Sequence, residues 1–131
     1  VPTSFEYAVI RVVPRVEREE FLNAGVILFC LESRFLKAVV QLDGERLSAL
    51  APDADVAELR DHLRAFEKVS AGDKEGGPIA LLSQRERFRW LVAPRSTVIQ
   101  VSAVHAGLCE NPEQMLQQLV RRLVKLEDGG K

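Results

Sequence analysis

Nine consecutive residues, Phe5–Val13 (Phe-Glu-Tyr-Ala-Val-Ile-Arg-Val-Val), constrain the fold more than any other feature of the chain. They are rich in β-branched and aromatic side chains, which favour a pleated, extended backbone. Side chains alternate across a strand. One face therefore carries Phe5, Tyr7, Val9, Arg11 and Val13, and the other Glu6, Ala8, Ile10 and Val12. Both faces are mostly apolar, so the strand is expected to be central and covered on both sides. Pro14 ends it, because proline cannot donate to a ladder. Arg11 alone resists this account. An arginine inside an apolar strand needs an acid or another acceptor, and Glu19 and Glu20 follow shortly. Two readings stand: a fold-organising ion pair, or an anion-binding arginine on a sheet face.

Further elements follow from punctuation and period. Arg15–Asn23 is dense in charge and reads either as a short helix or as the approach to a strand. Val26–Leu31 and Phe35–Leu42 read as two more strands joined by a hairpin loop at Glu32-Ser33-Arg34. Asp43–Leu50 is a short helix closed off by Pro52. Asp55 and Glu58 have capping-box spacing, and Val56, Leu59, Leu63 and Phe66 form one helical stripe behind them. Ser70–Pro78 holds Gly72, Gly76, Gly77 and Pro78 among charges, and is expected to be a mobile loop. Ser83 and Glu86 repeat the capping-box spacing ahead of Phe88, Leu91 and Val92. A helix is favoured there, although the alternation of Arg85, Arg87 and Arg89 with Glu86, Phe88 and Trp90 also fits a strand. Thr97–Val101 is a fourth strand. Asn111-Pro112 opens a final helix whose stripe is Met115, Leu116, Leu119, Val120, Leu123 and Leu126, with Gly129-Gly130 as its stop. The order βββααβα plus a short helix predicts an α+β fold: an antiparallel sheet of about four strands with helices packed on it. The 131 residues amount to a single domain spanning 1–131, with the loop at about 70–78 inside it.

Charge and composition narrow the function classes. Lys and Arg number 18 against 19 Asp and Glu, so the net charge is −1 and gives no global reason to expect a nucleic-acid or acidic-membrane partner. That neutrality hides an asymmetry. Asp53–Glu67 carries five acids against two Arg, and residues 84–95 carry four Arg against one Glu, which could pair the two helices with each other. The Arg85–Arg95 stretch, with Phe88 and Trp90, mixes cations and aromatics as single-strand binders do. A solvated basic face with both aromatics in the core is the better reading. No apolar run is long enough to span a bilayer, and Val-Pro-Thr-Ser at the start has none of the marks of a signal peptide. Two cysteines without such a signal point to a reducing cytoplasm. Cys30 sits in an apolar strand, whereas Cys109 is expected in a loop and is the more reactive of the two.

Catalytic and cofactor signatures are sparse. The two histidines, His62 and His105, stand far apart, and neither Cys-x-x-Cys nor a phosphate-cradling glycine loop is present, so no metal and no cofactor is expected. His62 reads as a surface histidine. His105 precedes Gly107 and Cys109 and reads as a loop-capping residue or an acid/base. Arg95, Ser96 and Thr97 offer a cation and two hydroxyls suited to carboxylate or phosphate, or simply a turn fixed by Pro94.

Tyr7-Ala-Val-Ile-Arg11-Val-Val-Pro14 followed by Glu20-Phe-Leu-Asn23-Ala-Gly25 resembles the opening signature of domain-of-unknown-function family 3037, a group of uncharacterised bacterial proteins. Phe88-Arg-Trp-Leu-Val-Ala-Pro-Arg-Ser-Thr97 and Val104-His-Ala-Gly107 are similar to its second signature. The resemblance spans residue 5 to about residue 124. It marks Arg11, Pro14, Glu20, Asn23, Gly25, Arg89, Pro94, Arg95, Ser96 and Thr97, with His105 matching less closely. It implies no activity. It does imply a protein partner, since members stand beside a HipA-like kinase. The expectation is therefore an accessory or binding module acting through a protein partner such as a kinase-like one. The alternative is a small enzyme or ligand binder for an anionic, phosphorylated substrate. Its pocket would hold Arg11, Glu20, Asn23, Arg95, Ser96 and His105, with Glu20 as base or metal ligand and His105 as acid/base.

Overall fold

The computed structural model describes residues 1–95 and 97–125. Ser96, Leu126 and the Gly129-Gly130 stop lie outside the described residues. The fold is α+β: an antiparallel five-stranded sheet with helices on both faces. Its strands are β1 (Thr3–Val12), β2 (Leu22–Cys30), β3 (Phe35–Val40), β4 (Ile99–Val101) and β5 (His105–Cys109). The helices are α1 (Gly44–Leu50), α2 (Val56–Ala71), α3 (Gln84–Leu91) and α4 (Pro112–Leu123).

β1 is the central strand that its two apolar faces demand. Ile10 and Val12 join Ile27, Phe29, Leu63 and Phe66 in a core under α1, α2 and α3. Phe5 joins Val26, Leu28, Leu116 and Val120 in a second core under α4. Along one flank β1 pairs with β2, and β2 with β3. The other flank is shared: β4 takes Ile10–Val12 and β5 takes Thr3–Tyr7. Between them Ser102 is buried. Its hydroxyl accepts the Val9 N–H at 2.9 Å, so a side chain fills the gap between the two short strands.

β5 is the element that sequence patterning took for a loop. His-Ala-Gly-Leu-Cys has little β propensity, and its pairing partner lies about 100 positions away in sequence, so nothing local announces it. Gly107 lies directly on Phe5; a Cβ there would stand 2.9 Å from the ring. Cys109 is consequently buried and tucked into the α4 core rather than exposed in a loop. Burial pushes its thiol up. Burial also acts upward on the Cys30 thiol, but hydrogen bonds with Ser33 and Thr3 outweigh that and its net shift is down. Both thiols are buried, so the structure does not bear out Cys109 as an exposed, reactive thiol.

The helix starts were legible. Asp43, Asp55, Ser83 and Asn111 each accept backbone N–H groups as N-caps, and Ser83 with Glu86 forms a full capping box, which resolves 84–91 as helix. Segment 70–78 is more ordered in shape than a plain loop. Ser70 and Ala71 finish α2, Gly72 ends it at φ 72°, and Lys74–Gly76 and Pro78–Leu81 are 3-10 turns. Ser70 and Glu67 also seal the outer edge of the sheet. Their side chains accept the N–H groups of Ala38 (2.9 Å) and Val40 (3.1 Å) on β3. Trp90, expected in the core, is 41% exposed, whereas Phe88 is buried against Phe29. The acidic α2 and the basic segment do not pair: no salt bridge joins them among the described residues, and Arg87 sends its terminal N–H groups to the Leu82 and Ser70 carbonyls while its Nε stays buried without a partner.

Candidate functional site

Arg11 sits where β1 and β2 change register. Ile10 stands opposite Gly25 and Arg11 opposite Asn23, so Ala24 is an extra residue on β2. Such a bulge re-aims neighbouring side chains. Here it exchanges the faces of β2: Val26 lies in the α4 core, Ala24 and Leu22 in the other. On its far side Arg11 faces Gln100 of β4. Both cross-strand neighbours are neutral amides, and neither is an ion-pair partner.

The predicted ion pair with Glu19 or Glu20 does not form. Glu20 is exposed and bonds the Arg18 Nε at 2.7 Å, which holds its carboxyl below the usual range. After the 3-10 turn Val16–Arg18, with Glu19 left-handed at φ 56°, Glu20 lies outside the cleft that holds Arg11, while Glu19 stays on its wall without pairing with the arginine. Arg11 instead lays its guanidinium on the Phe21 ring, 4.2 Å from the centroid. Its Nε is buried and has no hydrogen-bond partner among the described residues. A buried donor without an acceptor costs about 1–3 kcal/mol, and more on a cation.

Arg95 reaches the same place from the other side. Arg11, Phe21, Gln100 and Arg95 line one open cleft of about 480 Å³, with Glu17 and Glu19 on its wall. Arg95 is a half-buried cation within cation–π distance of both Phe66 (5.2 Å) and Trp90 (5.0 Å). Burial lowers its guanidinium from the ordinary arginine value. Three of its N–H groups cap the C-terminal end of α3, bonding the carbonyls of Leu91 (2.8 Å), Ala93 (3.1 Å) and Trp90 (3.0 Å). Arg95 is therefore a positioned charge, and Arg11 is the guanidinium with an unspent donor.

The remaining expected site residues are dispersed. Glu20 does not line the cleft. Asn23 faces α4, donating its amide to the Leu123 carbonyl at 3.0 Å and tying that helix to the sheet. His105 is exposed on β5, its ring tilted by 33° and centred 5.2 Å from that of Tyr7, toward the opposite end of β1 from Arg11. Ser96 lies outside the described residues. Sequence reasoning missed Phe21 and Gln100. Phe21 had a signal, being an aromatic beside the acid-rich turn with no place in any apolar period. Gln100 had none, since only strand order sets it beside Arg11.

A second cleft of about 520 Å³ adjoins the first at Val16 and Glu17 and carries Asp53, Asp55, Glu58 and His62. Its acids are exposed, and Asp53 is bonded to Arg15 at 3.4 Å. Among the described residues no three His, Cys, Asp or Glu side chains gather closely enough to hold a metal. Among the described residues, too, no helix is long and apolar enough to cross a membrane.

Comparison with known proteins bears on the chain as a whole. Searches of curated proteins and of solved structures return no match. Residues 7–124 match a family described as "Protein of unknown function (DUF3037)". That span takes in Arg11, Phe21, Arg95 and Gln100 together with the five-stranded frame that assembles them, from Tyr7 of β1 to the end of α4. A match over nearly the whole chain places it in this family, and the protein is a member of DUF3037.

Proposed function

We propose that the protein is a binding module that takes an anionic group, of the phosphoryl or carboxylate class, in the cleft between Arg11 and Arg95. The observation that carries this reading is the Arg11 Nε: buried, cationic, unpartnered, and set in an open cleft shared with a second arginine. Arg87 also keeps a buried Nε without a partner, but its terminal N–H groups are spent on the Leu82 and Ser70 carbonyls, whereas Arg11 stacks on Phe21 in a cleft shared with a second arginine. Stacking on Phe21 fixes the guanidinium plane without consuming its N–H groups. Glu17 and Glu19 on the wall favour a ligand that carries hydrogen-bond donors next to its anionic group, as a sugar phosphate or a phosphorylated side chain does.

The exposed Phe21 (46%) and Val16 (42%) at this cleft give a protein partner apolar footing there. A phosphorylated partner from a kinase-like context joins this geometry to the partnership that the family resemblance implies. Thermal shift with inorganic phosphate, a sugar-phosphate and nucleotide panel, and phosphoserine peptides tests the reading. We expect stabilisation that is lost in Arg11→Ala and weakened in Arg95→Lys. Preference for peptides over free phosphates would favour a protein partner. Hits unchanged by both substitutions would rule the cleft out.

A further inference from the structure

We propose that the outer edge of β5 pairs, antiparallel, with β5 of a second copy of this chain, across a two-fold axis at Gly107. Hydrogen bonds along β1 set the backbone directions. Val9 sends its N–H to Ser102 and accepts the Ser102 N–H at 2.9 Å, and Val13 donates to the Val98 carbonyl at 2.6 Å. Odd-numbered residues of β1 before the bulge therefore point toward the β4 and β5 flank. Thr3, Phe5 and Tyr7 spend their backbone groups on Cys109, Gly107 and His105. By alternation Ala106 and Leu108 turn their N–H and C=O groups outward, where no described residue meets them.

The rest of the sheet perimeter is treated differently. On β3 the outward N–H groups of Ala38 and Val40 are taken by Ser70 and Glu67 of α2. On β4 the Ile99 carbonyl accepts the Thr97 hydroxyl at 3.0 Å. Edge strands are normally blunted by charge, proline, a bulge or a cover. From Val101 to Cys109 the chain has no Lys, Arg, Asp, Glu or Pro, and Leu108 stands 68% exposed.

The pattern of β5 is complementary to itself, which selects a second copy as the occupant. With the axis at Gly107, Leu108 of one chain lies across from Ala106 of the other, large against small, on the face shared with Ser4 and Glu6. On the opposite face glycine meets glycine, so no side chains collide where the strands come closest. The absence of charge along the strand removes the like-charge repulsion that a two-fold axis otherwise imposes. Five residues a side bury less than the roughly 1,200 Å² of a standard interface, so the dimer is expected to be weak and concentration-dependent.

Sedimentation equilibrium of the full chain should show a mass rising from 14.6 kDa toward about twice that as concentration approaches about 1 mM. Ala106→Pro removes an outward N–H that the β1 ladder does not use, at a φ close to the extended range, and Leu108→Lys places a charge beside the axis on each chain. Both should stay monomeric while keeping the parent melting temperature and circular dichroism. A chain carrying Ala106→Cys mixed with one carrying Leu108→Cys should cross-link under mild oxidation more readily than either alone. A parent that stays monomeric, a dimer that survives both blocking variants while they remain folded, or faster cross-linking of Leu108→Cys with itself would each overturn the proposal. Phosphate binding at Arg11 is read separately, at the other end of β1, so the two proposals fail independently.

Discussion

Replacing Arg11 with leucine separates a structural arginine from a binding one. The leucine keeps apolar contact along the strand and deletes the guanidinium. The loss is the stacking on Phe21 at 4.2 Å, worth about 0.5–1 kcal/mol at a partly exposed site. The gain is removal of a buried N–H without an acceptor, whose desolvation costs about 1–3 kcal/mol. Arg11→Leu should therefore leave stability unchanged or raise it by up to about 2 kcal/mol. Were Arg11 instead held by an acid, its removal would strand that acid and cost about 3–5 kcal/mol. The two accounts differ by at least about 3 kcal/mol, or roughly 10 °C in Tm for a domain of this length. Urea and thermal unfolding followed by Trp90, the single tryptophan, read this directly. The same variant should show no thermal shift with phosphate. A loss of about 3 kcal/mol or more, or a phosphate shift that survives, would refute the reasoning from the unpartnered Nε.

Ser102→Ala should cost about 1–3 kcal/mol, because it leaves the Val9 N–H without its acceptor, with faster amide exchange at Val9 as the local readout. Gly107→Ala should lower Tm by forcing a Cβ to within 2.9 Å of Phe5, and Phe5→Leu in the same chain should recover part of the loss. Hydrogen bonds from Gln117 and Lys37 hold Glu113 below the usual carboxylate range. Its contribution is therefore full above the unfolded value of about 4.5 and is lost as pH falls through the lower folded value. Because the pair is half-exposed, the effect should stay below about 0.5 kcal/mol; comparing urea unfolding of the parent and Glu113→Gln at neutral and acid pH checks it.

Much of the frame was legible in local signals. The two apolar faces of β1 required cover on both sides, and the two cores supply it. Asp43, Asp55, Ser83 and Asn111 announced helix starts through side chains that bond N–H groups two or three residues away. The site was half legible. Arg11 stood out as a cation in an apolar strand, and Arg95 as a second cation for the same pocket. Its misjudged partner is instructive: Glu20 is close in sequence, but a left-handed Glu19 turns the chain and Arg18 captures the acid first.

What the sequence by itself determined is therefore whatever rests on period and punctuation: the central strand, the capped helices, the α+β class and the anomalous Arg11. Only the tertiary structure decided what Arg11 sees. Its neighbours Asn23 and Gln100 come from strands far apart in the chain and meet it through register, and β5 exists only because β1 is there to pair with it. The physical reason is range. Caps and amphipathic stripes act over a few residues, so they leave a mark in the sequence. A cross-strand neighbour is fixed by a ladder and a bulge whose energy is shared along whole strands, and no single residue carries it.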